Sequence, residues 1–151
     1  MTQRLVVGVD GSAGSRAAIE WAIAEAQLRG AELEVTAAWE FPYAWGEAAA
    51  WAPGGDGGLA EAAGAEATAL LDQILDGPQP DWLHVLTVEG PPARVLVERS
   101  ADADLLVVGS RGRGGFATLL LGSVSMACVQ HARCPVTVVP SRLTETTETK
   151  E

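Results

Sequence analysis

Asp104-Leu-Leu-Val-Val-Gly-Ser-Arg-Gly-Arg-Gly-Gly-Phe-Ala-Thr-Leu-Leu-Leu-Gly-Ser-Val-Ser-Met-Ala-Cys-Val-Gln-His-Ala-Arg-Cys-Pro-Val-Thr-Val-Val-Pro140 is the stretch from which the fold is read. Leu105 to Val108 is an unbroken apolar run, the pattern of a strand covered on both faces. Gly109 opens a glycine- and arginine-rich loop, Gly122-Ser123 leads into a helix over roughly Ser123 to Ala132, and Val136 to Val139 form a second strand. Strand, helix and strand in this order make a parallel crossover unit, right-handed in nearly all cases.

The same alternation extends back to the N-terminus. Leu5 to Val9 is a second wholly apolar strand, ended by the turn-forming Asp10-Gly-Ser12. Ala18, Ile19, Ala22, Ile23 and Ala26 mark one face of a helix from Ser15 to Arg29, with Ser15 as its expected N-cap and Gly30 as its stop. Leu33 to Trp39 is a strand in which Glu34 and Thr36 predict one less buried face. A long irregular stretch follows from Glu40 to Gly58, either a flexible connection or a lid over a ligand. A helix is predicted over Leu59 to Asp76, a strand over Leu83 to Val88, and a short helix from Pro92 to Ala101.

The expected fold is therefore α/β: a single-domain, open, parallel five-stranded sheet with helices on both faces. The two wholly apolar strands belong side by side at the centre, which gives the order 3-2-1-4-5 and a reversal of direction between strands one and four. One core suffices for 151 residues, enough to bury roughly 70% of the unfolded surface. Residues 1–140 form the domain, and the polar stretch 141–151, rich in threonine and glutamate, is expected to be a disordered tail.

Twenty acidic and ten basic residues give a net charge of -10, which argues against nucleic-acid or membrane partners that a basic face would attract. The apolar run near Met1 is too short for a signal-peptide core or a membrane span, so the expected compartment is the cytoplasm. Cys128 and Cys134, the only cysteines, then read as reduced thiols, Cys128 buried in its helix.

Ligands of open α/β sheets bind beyond the carboxyl ends of the strands at the reversal point. The order 3-2-1-4-5 brings Asp10-Gly11-Ser12 beside Gly109-Ser-Arg111-Gly112 there. Gly109, Gly112, Gly114 and Gly115 admit positive φ, so that successive N–H groups can face one concavity. Ser123, Val124 and Ser125 begin a helix and add free N–H groups and the positive end of its dipole. Arg111 and Arg113 add guanidinium groups suited to phosphate oxygens. Two readings stand at this level: a phosphate cradle, or a mobile loop with solvated arginines and a plain helix cap. The Walker pattern is absent, and Gly112-Arg-Gly114-Gly-Phe-Ala117 lacks the acid about 20 residues on that a dinucleotide site requires.

Gly109-x2-Gly112-x9-Gly122-Ser123 resembles the nucleotide-binding signature of the universal stress protein family, in its ATP-binding branch. Val7-Gly-Val-Asp10-Gly-Ser12 is similar to that family's first strand and turn, and His131-Ala-Arg-Cys-Pro-Val136 to its lead into strand five. The resemblance runs from Leu5 to Pro140. It implies the same sheet, ATP as ligand with or without Mg2+, and a homodimer along strand 136–139. Carried over by position, Asp10, Gly11, Ser12 and Ala38 border adenine and ribose, while Gly109, Arg111, Gly112, Gly122, Ser123, Val124 and Ser125 hold ribose and phosphates. The function it implies is a regulatory, stress-response role through a nucleotide-dependent homodimer with little or no hydrolysis.

No catalytic set stands out in the chain. His84 lies in a strand and His131 near a helix end, and neither has a partner placed by spacing. Asp10 suits either a magnesium ion or a ribose hydroxyl. Two other functions stay open: a slow ATP-hydrolysing or adenylyl-transferring enzyme of related fold, at most a weak ATPase, and a nucleotide-free dimeric interaction module.

Overall fold

Consecutive parallel crossovers build the whole domain. In a computed structural model, which describes residues 1–10, 12–41, 55–111 and 121–141, the elements are β1 (Arg4–Val9), α1 (Ala13–Arg29), β2 (Glu32–Trp39), α2 (Gly55–Ile74), β3 (Leu83–Glu89), α3 (Pro92–Ser100), β4 (Leu105–Gly109), α4 (Ser123–His131) and β5 (Val136–Val139). The sheet order is β3-β2-β1-β4-β5 and every pairing is parallel, as the strand compositions predict.

Burial explains that order. Leu5, Val6 and Val7 of β1 and Leu106 and Val107 of β4 have no exposed surface, and Leu5 pairs with Leu105 and Val7 with Val107. Alternate residues feed two cores. Leu5, Val7, Leu33 and Val35 pack with Ile19, Ala22 and Leu71 under α1 and α2, whereas Val6, Leu106 and Val108 pack with Leu96 and Cys128 under α3 and α4. Each fully buried Leu, Ile or Val contributes about 1.5–3 kcal/mol relative to an exposed one, so moving either central strand to an edge would forfeit several such terms.

Helix α1 starts earlier than its sequence suggests. Ser12, not Ser15, is the N-cap: its backbone is extended and its hydroxyl accepts the Ser15 N–H at 3.2 Å. Ser15 is instead free to accept the Asp10 N–H at 3.2 Å, which ties the helix to the end of β1. Gly30 closes the helix as expected, in the left-handed conformation at φ 60 that glycine adopts without a Cβ penalty. Helix α2 also starts earlier, at Gly55, so residues 55–58 of the stretch expected to be irregular are helical. The proposed lid or connection at 42–54 and the tail at 142–151 lie outside the described residues.

The largest departure concerns β2. Glu34 and Thr36 do not mark an open face: they are 8% and 1% exposed. Arg99 of α3 lies over Glu34 and grips it bidentately, Nε to Oε1 at 2.8 Å and Nη2 to Oε2 at 2.6 Å. Arg4 of β1 donates to the same carboxylate, and the Thr36 hydroxyl donates to it at 2.9 Å. Burial alone would raise the Glu34 pKa, but the hydrogen bonds from Arg99, Thr36 and Arg4 outweigh it and hold the carboxyl below its usual range.

Candidate functional site

At the carboxyl end of the sheet β1 and β4 are neighbours, and the chain leaves them in opposite directions, to β2 on one side and to β5 on the other. This is the reversal point at which open α/β sheets take ligands. Asp10 and Ser12 follow β1, Ser110 and Arg111 follow β4, and Ala38 sits one residue from the end of β2. Gly11 and Gly112 fall outside the described residues, as do Arg113, Gly114 and Gly115.

Two helices begin at this mouth, and their N-termini differ. At α1 two donors of the helix start are met by side chains, Ser12 N–H by Asp10 Oδ1 at 2.9 Å and Ser15 N–H by Ser12 Oγ, and the first helical bond runs from Arg16 N–H to the Ser12 carbonyl at 3.1 Å. Helix α4 has no side-chain cap and no acid in its first turn. Its first helical bond runs from Met126 N–H to the Gly122 carbonyl at 3.0 Å. The N–H groups of Ser123, Val124 and Ser125 therefore have no helical acceptor, and Ser123 is exposed. Helix α4, which lacks the side-chain cap that α1 has, thus leaves the more open start of the two.

Close backbone contact holds the mouth together. A Cβ on Gly109 would sit 2.7 Å from the Gly14 carbonyl oxygen and 2.8 Å from its carbon, and one on Gly14 would sit 2.5 Å from the Arg111 carbonyl oxygen. Gly109 does not use positive φ, contrary to the expectation from its place in a glycine-rich loop; it is glycine because the first turn of α1 presses on the end of β4. Gly14 and Ser110 were not among the candidate site residues read from the sequence, since nothing local marks a residue that matters for how near another strand comes.

Ser125 is 2% exposed, and its hydroxyl lies 3.0 Å from both the Ser110 and Gly122 carbonyls. Gly122 and Val124 are half-buried, as are Ala38 and Arg111. Ala38 shares its sheet face with Glu34 and Thr36, the face roofed by α3 and α4. Cys128 is buried as expected, and burial, with a smaller effect of neighbouring Cys134, pushes its thiol up to about 11. It is a packing residue rather than a nucleophile at neutral pH. His84, in β3, and His131, at the C-terminal end of α4, are exposed.

Fold and mouth together define a doubly wound α/β domain with an uncapped helix start at its reversal point. The family model for the Universal stress protein family matches residues 1–140, and the chain belongs to that family. Universal stress protein Rv2623 of Mycobacterium tuberculosis is 40% identical over 144 residues, covering 93% of this chain and 46% of that protein. The chain spans about half the length of the curated relatives it matches. Among solved structures, a universal stress protein in complex with cAMP is 31% identical with a TM-score of 0.59, covering 93% of this chain and 98% of the other. UspA from Lactobacillus plantarum is 25% identical with a TM-score of 0.65, covering 91% and 97%.

Proposed function

We propose that this chain binds ATP, with or without Mg2+, at the β1–β4 reversal point, and acts in the cytoplasm as a regulatory, stress-response homodimer with little or no hydrolysis. The observation that carries the proposal is the uncapped, acid-free N-terminus of α4 at the mouth. The cAMP complex of a 31% identical relative supports an adenine nucleotide as the ligand class. In this proposal Asp10, Gly11, Ser12 and Ala38 border adenine and ribose, and Gly109, Arg111, Gly112, Gly122, Ser123, Val124 and Ser125 serve ribose and phosphates. Asp10 uses one carboxylate oxygen to shape its own turn, a structural task that suits a ribose or Mg2+ contact through the other oxygen better than the role of a base. Among the described residues no group of three His, Cys, Asp or Glu could hold a metal by itself, so Mg2+ would travel with the phosphates. No helix among the described residues is long and apolar enough to cross a membrane.

Ser123→Asp separates binding from folding. A carboxylate in the first turn of α4 favours the helix by about 0.3–1 kcal/mol, so the melting temperature is expected to hold or rise. The same charge repels phosphate, and ATP affinity measured by titration calorimetry is expected to fall about tenfold or more. Unchanged affinity would mean that phosphate is bound elsewhere. Analysis of the denatured wild-type supernatant for adenine nucleotide, and phosphate release on incubation with ATP, complete the test.

The homodimer is supported by β5, which is an edge strand, and by Met126 and Val129 of the overlying α4, 42% and 50% exposed. Spaced one helical turn apart, these side chains extend the apolar edge that a second copy would cover. Val138 packs into the second core beside Val108, so charging it would mix folding with assembly. Val129→Lys is the cleaner variant: sedimentation at micromolar concentration is expected to show a wild-type dimer and a folded variant monomer. A wild type that is already monomeric would remove the edge-strand dimer.

A further inference from the structure

We propose that Ser125 is a positioning residue for phosphate binding, which holds the N-terminus of α4 at the mouth by hydrogen bonding to the Ser110 carbonyl rather than by touching the nucleotide through its hydroxyl. The proposal rests on the nucleotide reading above and names how that site is kept in shape.

The Ser125 hydroxyl faces inward, at 2% exposure, with its single proton shared between the Ser110 and Gly122 carbonyls at 3.0 Å each. The Ser110 carbonyl also receives the Gly122 N–H at 2.7 Å, so both of its lone pairs are occupied by the start of α4. The Ser110 N–H donates to the Val139 carbonyl of β5 at 3.0 Å, and Ser110 is itself 9% exposed. One buried residue, Ser110, thus pins the first turn of α4 to the end of β4 through its carbonyl and to β5 through its N–H. The start of α4 has no side-chain cap, so beyond the packing of Val124 and Cys128 in the second core its placement rests on these backbone and hydroxyl bonds. An anion held by backbone N–H groups needs them within a few tenths of an ångström of its oxygens, which is the geometry this brace maintains.

The test compares ATP with adenosine on the full chain at fixed ionic strength. Removing the hydroxyl in Ser125→Ala is expected to weaken ATP binding about tenfold, the equivalent of one buried hydrogen bond, and to leave adenosine affinity within twofold. Ser125→Thr, which keeps the hydroxyl, is expected to recover most of the loss; if the added methyl prevents folding, Ser125→Cys with its weak donor should fall between wild type and Ser125→Ala. Amide hydrogen exchange without ligand supplies an independent readout, with faster exchange expected at Gly122 in Ser125→Ala. Equal losses for ATP and adenosine would overturn the proposal, since Ser125 would then serve the nucleoside or the fold at large. ATP affinity unchanged in Ser125→Ala would overturn it too, with the nucleotide reading left standing. Wild-type protein that binds no ATP would remove the nucleotide reading and the proposal together, and the exchange rates would then show only whether Ser125 braces the helix.

Discussion

Glu34→Ala is expected to lower the folding stability at pH 7 by about 2–4 kcal/mol. Loss of one partner from a buried ion pair commonly costs about 3–5 kcal/mol, and the value is set lower here because the Arg4 and Arg99 side chains are 29% and 30% exposed and can turn partly to water. Two guanidinium groups would be left facing each other over a cavity, and Thr36, 1% exposed, would lose its acceptor. Glu34→Gln keeps a hydrogen-bonding amide in the same volume and should be the milder change. The two variants also carry a pH signature. Because the folded Glu34 pKa lies below the ordinary 4.5, its contribution is complete above the unfolded pKa and is lost as pH falls through the folded one. Urea unfolding from neutral to acid pH should therefore show wild type and Glu34→Gln converging as acid is added. A Glu34→Ala protein within about 0.5 kcal/mol of wild type at neutral pH would show that the cluster adds no net stability.

Glu34 also illustrates what could not be seen in the sequence. The central strands were legible because their burial on both faces is written into consecutive residues: Leu5 to Val9 and Leu105 to Val108 contain almost nothing else, and the order β3-β2-β1-β4-β5 follows from them. A glutamate in a strand gives the same local signal whether it faces water or two arginines, one of them 65 residues away on α3. The misplaced cap of α1 has a similar origin. Ser12 and Ser15 are both good caps by type, and the choice is made by the end of β1, whose Asp10 N–H takes the Ser15 hydroxyl and leaves Ser12 to the helix. At the site, Gly122-Ser123 located the start of α4, and dipole and free N–H groups come with any helix start. The brace behind it, Ser110 and Ser125, depends on a contact between chain segments that no spacing rule reports.

Gly109→Ala is the second substitution expected to have a large effect, because here fold and mouth share one contact. The added Cβ would meet the Gly14 carbonyl group at 2.7–2.8 Å and its Cα at 3.3 Å, all of it backbone that cannot rotate aside. Helix α1 would have to lift from the end of β4, which drags on the buried Ala17, Ala18 and Ile19 of its next turn. A cost of about 3 kcal/mol is expected for such overpacking, equivalent to a fall in melting temperature of roughly 6–12 °C for a domain of this length. Gly8→Ala is the control. Its Cβ would come 2.6 Å from a Leu96 methyl, an equally short contact, but with the far end of a side chain that has other rotamers. The displacement caused by Gly109→Ala also moves Ser12 and Asp10, the turn that closes the other side of the mouth, so ATP affinity should fall along with stability, whereas Gly8→Ala should spare it. If Gly109→Ala melts with wild type, α1 is free to move away from β4 at no cost, and the mouth must owe its shape to the α4 brace alone.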